Sequence, residues 1–270
     1  MNPAPEIVPV LCYHSVGDLR RDGTLRWSVS PGDFDEQMAL IRARERTPMT
    51  VSDYAAVLRG LAPLPPRPVL VTFDDGFPDL ADTALPVLRR HGLTATAFVI
   101  AARVGATPSP GGDPSLDWDQ LRDLHAHGVE IGSHSRSHRA LDCLRRTELR
   151  QEVAGSRQVL EDRLGIPIRS FAYPYGYHSD AVLAAVLAAG YSSACGVKNA
   201  LSHPGDNVFA IARVLIERDT GAAGIGALLD GTGRPLAWHG ERLLTRGWRA
   251  YRRARHLVHA AQPRLSRQTS

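Results

Sequence analysis

Cysteine is scarce in this chain, and long apolar runs are missing. Only three cysteines occur among the 270 residues: Cys12, Cys143 and Cys195. A small disulfide-linked scaffold is therefore excluded, and the odd number with wide spacing favours reduced thiols. No apolar run approaches the ~18 residues of a transmembrane helix. The N-terminal residues lack a basic start followed by an apolar stretch, so we expect no secretory signal and a cytoplasmic protein.

Acidic residues are nearly missing from the last thirty positions. Between Glu241 and Ser270, eight arginines accompany one glutamate, so the net charge of +4 belongs to this segment and the rest is mildly acidic. No nucleic-acid recognition motif or interleaved aromatic pattern is present, so nucleic acid is not an expected partner. Residues 239–261 predict a helix that either packs on the body of the protein or makes weak contact with the inner face of an anionic membrane.

The chain alternates strand and helix patterns, which is typical of a parallel sheet with right-handed crossovers. About seven strands predict a single-domain α/β fold, a distorted (β/α) barrel. An open doubly wound sheet is the alternative, but it would favour a glycine-rich phosphate loop that the sequence lacks. Predicted strands cover residues 7–13, 68–73, 94–100, 128–134, 169–174, 191–197 and 208–216. Predicted helices cover residues 31–46, 52–58, 79–91, 117–127, 147–164 and 179–189. Ser30 and Ser52 are the expected N-caps of the first two.

Polar residues capable of acid–base and metal chemistry follow several of these strands. Asp74 and Asp75 end one strand, His134 and His138 follow another, and His14 follows the first. Because the carboxyl ends of parallel strands meet at one end of a barrel, these side chains are expected to gather there. In a helical segment, histidines four residues apart share a face, and two imidazoles with one carboxylate form a three-ligand zinc site with an open position.

Each of these motifs also has an ordinary structural interpretation. Asp-Asp-Gly after a strand is common turn chemistry, and the segment from His134 to His138 can be a solvated loop. The acidic strand end and the histidine pair together make that interpretation less favourable. The remaining histidines fall mostly at helix ends or in loops, and His178 is the least secure exclusion because it follows a Pro-Tyr-Gly turn.

Three motifs in order resemble the polysaccharide deacetylases, carbohydrate esterase family 4. They are TFDDG at 72–76, HSRSH at 134–138 and YPYG at 173–176, and the resemblance covers roughly residues 7–216. It implies a distorted (β/α) barrel that removes N-acetyl or O-acetyl groups from glycans with a divalent metal, with zinc favoured. By matching motif, Asp74 is the expected general base, Asp75, His134 and His138 are the expected metal ligands, and the Tyr175 backbone N–H is expected to bind the oxyanion.

Two positions depart from the family pattern. Ala172 stands where many members have an arginine that orients the base, and the late Leu-x-His motif that supplies a general acid is missing. However, LCYHSV at 11–16 resembles the first motif of the poly-N-acetylglucosamine deacetylase branch, in which the motif order is circularly permuted. On that resemblance His14 replaces the late histidine as general acid, and Arg213 is a candidate substitute for the missing arginine, unless it makes a purely structural ion pair.

The sequence therefore predicts a metal-dependent deacetylase acting on an N-acetylhexosamine-containing glycan or glycolipid. The predicted catalytic domain covers residues 1–235, and residues 236–270 form a basic C-terminal helix and tail. Two alternatives stay open: hydrolysis of a non-sugar or non-acetyl linear amide, and a non-catalytic glycan-binding module. A second carboxylate beside the ligands, at Asp74, disfavours the module. Candidate aromatic residues for a sugar site are Trp27, Tyr54, Trp118, Tyr173, Tyr175 and Tyr177.

Overall fold

The computed structural model describes residues 6–17, 25–107 and 113–238. The predicted helix over residues 239–261 lies outside the described residues, so the helix and its membrane contact stay predictions. Within the described ranges, no helix is both long and apolar enough to cross a membrane. Cys12 and Cys195 are buried free thiols, in line with the prediction of reduced cysteines.

Ten strands and seven α-helices make up the described structure. The strands are β1 (Val10–Tyr13), β2 (Ser15–Val16), β3 (Ser28–Val29), β4 (Thr47–Met49), β5 (Pro68–Phe73), β6 (Thr96–Val99), β7 (Glu130–Ser133), β8 (Ser170–Ala172), β9 (Ser193–Cys195) and β10 (Val214–Leu215). The helices are α1 (Pro31–Ala43), α2 (Val51–Leu58), α3 (Leu85–His91), α4 (Trp118–Ala126), α5 (Arg146–Leu164), α6 (Asp180–Ala188) and α7 (Ala222–Leu229).

Seven strands form one parallel sheet that curls into a half-barrel. Their order is β10-β1-β5-β6-β7-β8-β9, and β4 pairs with the first half of β5. Every pairing along the sheet is parallel. The two ends of the sheet approach each other through a single bridge between Cys195 and Ile211. The predicted distorted (β/α) barrel is confirmed.

The alternating side chains of the strands separate two apolar layers. In β5, Val69 and Val71 pack in the large cluster that includes the helices, whereas Leu70 belongs to a smaller cluster with Phe98 and Ile211. Both faces of β5 are covered, so all six of its residues are buried. A strand covered on both faces typically has a nearly continuous apolar sequence. Because side chains alternate between the two faces of a strand, residues two positions apart point into the same apolar layer.

Helix starts follow the predicted signals with one correction. Ser30 caps α1 as predicted and accepts a hydrogen bond from the Asp33 N–H. The second helix begins earlier than predicted, because Thr50, not Ser52, is its N-cap and forms a capping box with Asp53. Ser52 instead donates its hydroxyl to Glu130, which lies at the start of β7.

The last predicted strand, 208–216, is mostly irregular; only Val214–Leu215 is a strand. Side-chain oxygens take the backbone N–H groups that a longer strand would use. The Asp206 carboxylate accepts from the N–H groups of Asn207 and Ala212, and the Asn207 side chain accepts from the N–H of Phe209. Asp and Asn side chains compete with sheet hydrogen bonds in this way.

Candidate metal and catalytic site

A buried ion pair lies at the carboxyl end of β5. The Arg213 guanidinium donates to Oδ1 and Oδ2 of Asp74, each at 2.7 Å, and both side chains are buried. Arg213 also donates to the Thr72 hydroxyl at 3.2 Å. Burial by itself would raise the pKa of Asp74, but the charge and hydrogen bonds of Arg213 outweigh it and hold that pKa well below its usual range. Asp74 is therefore ionised and fixed in orientation by a bidentate partner.

Three potential metal ligands lie beside this pair. One donor atom from each of Asp75, His134 and His138 falls within 4.8 Å of the others, and we name these residues the ligand cluster. Asp75 Oδ1 lies 3.7 Å from His134 Nε2 and 3.5 Å from His138 Nε2. The same oxygen is buried and has no hydrogen-bond partner. A carboxylate and two imidazoles that converge on one point, with an unsatisfied oxygen among them, fit a divalent cation such as zinc.

The hydrogen bonds of His134 leave the correct nitrogen available for a metal. Its Nδ1–H donates to the Ala172 carbonyl at 2.9 Å, so the lone pair is on Nε2, which faces the ligand cluster. Metal-ligating histidines usually donate their second nitrogen in this way, which fixes both tautomer and ring orientation. Ala172, where many family members carry arginine, therefore contributes its carbonyl to the site.

The segment that carries the histidine pair is not helical, and the two rings nevertheless meet. Residues 134–138 form a tight non-helical turn, in which Ser135 (φ 65°) and His138 (φ 59°) have left-handed backbone conformations. The His138 N–H donates to the Ser135 hydroxyl at 3.0 Å, and the His134 and His138 ring centroids are 4.8 Å apart. Burial and the neighbouring His134 lower the pKa of His138 to about 4, which leaves a neutral ring that can ligate a metal.

The turn after β5 directs its two carboxylates to different partners. Asp75 (φ 73°) and Gly76 (φ 72°) are consecutive left-handed residues, a conformation that Asp tolerates better than most side chains. A Cβ at Gly76 would lie 3.1 Å from the Val99 side chain, so glycine is needed on steric grounds as well. This sharp turn allows Asp74 to contact Arg213 while Asp75 reaches the histidines.

His14 borders the same site. Its ring stacks on Trp27 with centroids 5.7 Å apart, and its Nδ1 is buried without a hydrogen-bond partner. Burial lowers the pKa of His14, while the nearby charges of Asp74 and Asp75 oppose that shift. His14 therefore lies within electrostatic range of both aspartates, and its role as an acid stays a prediction.

Tyr175 lies against His138 and is exposed. Its side chain is 56% exposed, and its ring centroid lies 4.7 Å from that of His138. Its φ of 60° is left-handed. The structure thus brings the YPYG turn against the ligand cluster, and the oxyanion contact of the Tyr175 N–H stays a prediction.

Several predicted sugar-site aromatics are placed elsewhere. Tyr54 and Tyr173 are fully buried, and their hydroxyls donate to the carbonyls of His203 and Phe209. Neither can present a ring to a saccharide. His178 stacks on Tyr173 with ring centroids 4.6 Å apart and is not part of the ligand cluster.

Sequence reasoning missed two contacts that shape the site. The Cys12 thiol lies 3.6 Å from Asp74 Oδ2, a contact that the alternation of Val10, Cys12 and His14 along β1 could have indicated. Glu152 hydrogen bonds to the turn that carries His138. No sequence signal indicates this second contact, because Glu152 lies within an unrelated helical pattern.

Comparisons with known proteins find relatives of this chain. A family model described as polysaccharide deacetylase matches residues 62–194. Residues 62–194 therefore form a polysaccharide deacetylase domain. The matched span contains the ligand cluster, Asp74 and Tyr175, whereas His14 and Arg213 lie outside it.

Individual relatives extend the similarity beyond that span. The Bacillus subtilis (strain 168) protein YxkH is 25% identical over 226 residues, which cover 84% of this chain and 77% of that protein. The poly-beta-1,6-N-acetyl-D-glucosamine N-deacetylase of Staphylococcus aureus (strain MRSA252) is 23% identical over 202 residues, covering 72% of this chain and 69% of that enzyme. The solved structure of IcaB from Ammonifex degensii is 28% identical with a TM-score of 0.73, covering 83% of this chain and 97% of that one.

Proposed function

We propose that this polysaccharide deacetylase family member is a metal-dependent hydrolase that removes N-acetyl groups from N-acetylhexosamine units of a glycan. One observation carries the proposal: Asp74 lies beside the ligand cluster without belonging to it. Its Oδ2 is 3.8 Å from His134 Nε2, while both of its oxygens are held by Arg213. A purely structural metal site has no use for such a second, oriented carboxylate.

The ligand cluster is the proposed holder of the metal, for which we favour zinc. Three protein ligands leave a coordination position open, which is the arrangement of catalytic zinc sites. A divalent cation bound there would polarise the acetyl carbonyl and lower the pKa of water. The His134 tautomer and the neutral His138 ring suit that role.

Asp74 is the proposed general base. Its carboxylate accepts a proton from the attacking water, and Arg213 keeps that carboxylate ionised and aimed. We therefore propose Arg213 as the residue that orients the base. Many family members carry an arginine for this role at the position of Ala172. In this role Arg213 is a positioning residue, since it acts through Asp74.

His14 is the proposed general acid. An amine leaves readily only when it is protonated, so the nitrogen of the acetamido group needs a proton donor. The unpartnered Nδ1 of His14 is open to a ligand, and the nearby charges of Asp74 and Asp75 favour the protonated ring against the effect of burial. The Tyr175 N–H is the proposed donor to the developing oxyanion.

The substrate class follows from the relatives rather than from the pocket. A relative named for poly-beta-1,6-N-acetyl-D-glucosamine covers 72% of this chain, which supports a β-1,6-linked N-acetylglucosamine saccharide as the first substrate to test. The experiment measures acetate release from such oligomers, from chitooligosaccharides and from N-acetyl-lysine, after chelation and again after zinc is restored. Asp74→Asn protein serves as the control.

Three outcomes separate the proposal from its alternatives. Zinc-dependent acetate release from the saccharides, lost in Asp74→Asn, supports it. Release from N-acetyl-lysine alone would favour a non-sugar amidohydrolase. Saccharide binding without any release would favour a glycan-binding module.

A further inference from the structure

The turn that carries His138 has a strained backbone. Ser135 and His138 both have positive φ, which is unfavourable for residues other than glycine. Such conformations persist only where the surroundings hold them in place. The turn therefore needs contacts from outside itself, and those contacts decide where the His138 ring lies.

One side of the turn is held by the segment after β6. The Ala101 N–H donates to the Ser135 carbonyl at 3.1 Å, and the Ala102 N–H donates to the Arg136 carbonyl at 2.9 Å. These are backbone bonds, so they do not depend on particular side chains. They fix the first half of the turn and leave the second half to be held by another element.

The second half is held by Glu152, from the middle of α5. The Ser137 N–H donates to Glu152 Oε2 at 2.8 Å, the Ser137 hydroxyl donates to Oε1, and the Arg136 N–H donates to the Glu152 carbonyl at 3.0 Å. Glu152 is only 5% exposed. Both carboxylate oxygens are thus directed to the residue that directly precedes His138.

The Glu152 carboxylate has no cationic partner among the described residues. No arginine, lysine or histidine there forms a salt bridge with it, unlike Glu148 and Glu161 on the same helix, which pair with Arg139 and Arg157. A buried carboxylate without a cation is costly unless its hydrogen bonds are well made. Within the described part of the chain, the carboxylate accepts those bonds from Ser137 alone, so the contact is specific to the turn.

We propose that Glu152 is a positioning residue for the metal centre: by fixing Ser137, it sets the His138 ring against Asp75 and completes the ligand cluster. The inference rests on the proposed metal site. Outer contacts that orient metal ligands typically change metal affinity or activity by about 10–100-fold when removed. Glu152→Ala is therefore expected to weaken zinc binding by about that factor.

The test measures zinc affinity by competition with a chelating dye, and the visible absorption spectrum of the cobalt-substituted protein, on the full chain without saccharide. Glu152→Gln retains one acceptor for the Ser137 N–H, and its amide can donate to the Ser137 oxygen, so it is expected to restore both affinity and spectrum. Ser137→Ala removes the hydroxyl bond alone and tests the same contact if Glu152→Ala does not fold.

Glu161→Ala is the matched control. Glu161 lies on the same helix and accepts from the Ile168 N–H at 3.0 Å, so its loss disturbs a loop of similar kind away from the metal. This variant is expected to lose stability while its zinc affinity and cobalt spectrum stay as in the wild type. A weakened site in Glu152→Ala and Ser137→Ala, with rescue by Glu152→Gln, supports the proposal.

The positioning role is overturned if Glu152→Ala keeps wild-type zinc affinity and an unchanged cobalt spectrum. If that variant does not fold, the same result in Ser137→Ala overturns it. Equal weakening of zinc binding in Glu152→Gln and Glu152→Ala would overturn it as well. The proposed function fails separately. A wild-type protein that binds zinc but releases no acetate refutes the deacetylase activity and leaves this inference standing. A wild-type protein that binds no zinc overturns both.

Discussion

Each end of the barrel contains acidic side chains, and the two ends differ in how completely the polar atoms there are hydrogen bonded. At the amino end, Glu130 accepts from the Ser52 N–H and from the hydroxyls of Ser52, Thr96 and Ser170, at 2.6–3.0 Å. All of these donors are neutral. Thr96, Glu130 and Ser170 are the first residues of three adjacent parallel strands, β6, β7 and β8. The Glu130 centre is complete without any ligand.

At the carboxyl end of the barrel, by contrast, some buried polar atoms have no hydrogen-bond partner. Asp75 Oδ1 and His14 Nδ1 are buried without partners, and Ser135 and His138 have left-handed backbones. Asp74 is satisfied, but by a charged partner, Arg213. Buried polar atoms without partners are costly, so they persist where a ligand is expected to satisfy them. Glu130 is thus a structural acid, whereas the carboxyl end has the unsatisfied polar atoms expected of the proposed catalytic site.

Removal of a metal ligand should have the largest effect. His138→Ala takes one of three ligands from the cluster, so zinc binding and acetate release are expected to fall together to background. Chelation of the wild type should reproduce that loss, and added zinc should reverse it only in the wild type. Retention of stoichiometric zinc by His138→Ala would remove His138 from the ligand set.

The Asp74→Asn variant should have the next largest effect, and it should separate loss of turnover from loss of metal binding. Loss of the proton acceptor is expected to lower turnover by about 10²–10⁴-fold. Zinc affinity, measured by dye competition, should stay near the wild-type value because Asp74 is not a ligand. If zinc is lost along with turnover, Asp74 belongs in the coordination sphere and the comparison with Glu130 must be redrawn.

Arg213→Met tests the charged pair directly. It leaves the Asp74 carboxylate buried without a cation, and breaking such a pair typically costs about 3–5 kcal/mol of the free energy of unfolding. Glu130→Gln is the control at the opposite end, where neutral donors can re-form their bonds and the expected loss is about 1 kcal/mol. Urea unfolding of both variants measures the difference. Similar losses in the two variants would contradict the distinction between the two ends.

His14→Ala should have the smallest effect and depends on the leaving group. Loss of a general acid is expected to lower turnover on N-acetyl saccharides by about 10²-fold. On an activated ester such as 4-nitrophenyl acetate, whose leaving group needs no proton, the loss should be much smaller. Kinetics on both substrates with one enzyme preparation measure this ratio, and equal losses would remove the acid role.

Patterns local in sequence were the predictable part of this protein. Apolar runs with turn residues located six of the seven sheet strands within a few residues, and capping residues such as Ser30 located helix starts. The strand over 208–216 was mostly wrong, because Asp206 and Asn207 take its backbone N–H groups through their side chains. The sequence left the conformation of residues 134–138 open between a helix and a loop, because contacts from other elements hold that turn.

By itself, the sequence determined which strands end in Asp74, Asp75, His134 and His14, and parallel pairing then required these ends to meet. The tertiary structure alone decided that Arg213, 139 positions away, forms the ion pair with Asp74, and that Glu152 holds the turn before His138. The physical reason is range. Backbone periodicity and capping act over a few residues, whereas buried carboxylates are satisfied by whichever donors the folded sheet and helices bring within hydrogen-bond distance.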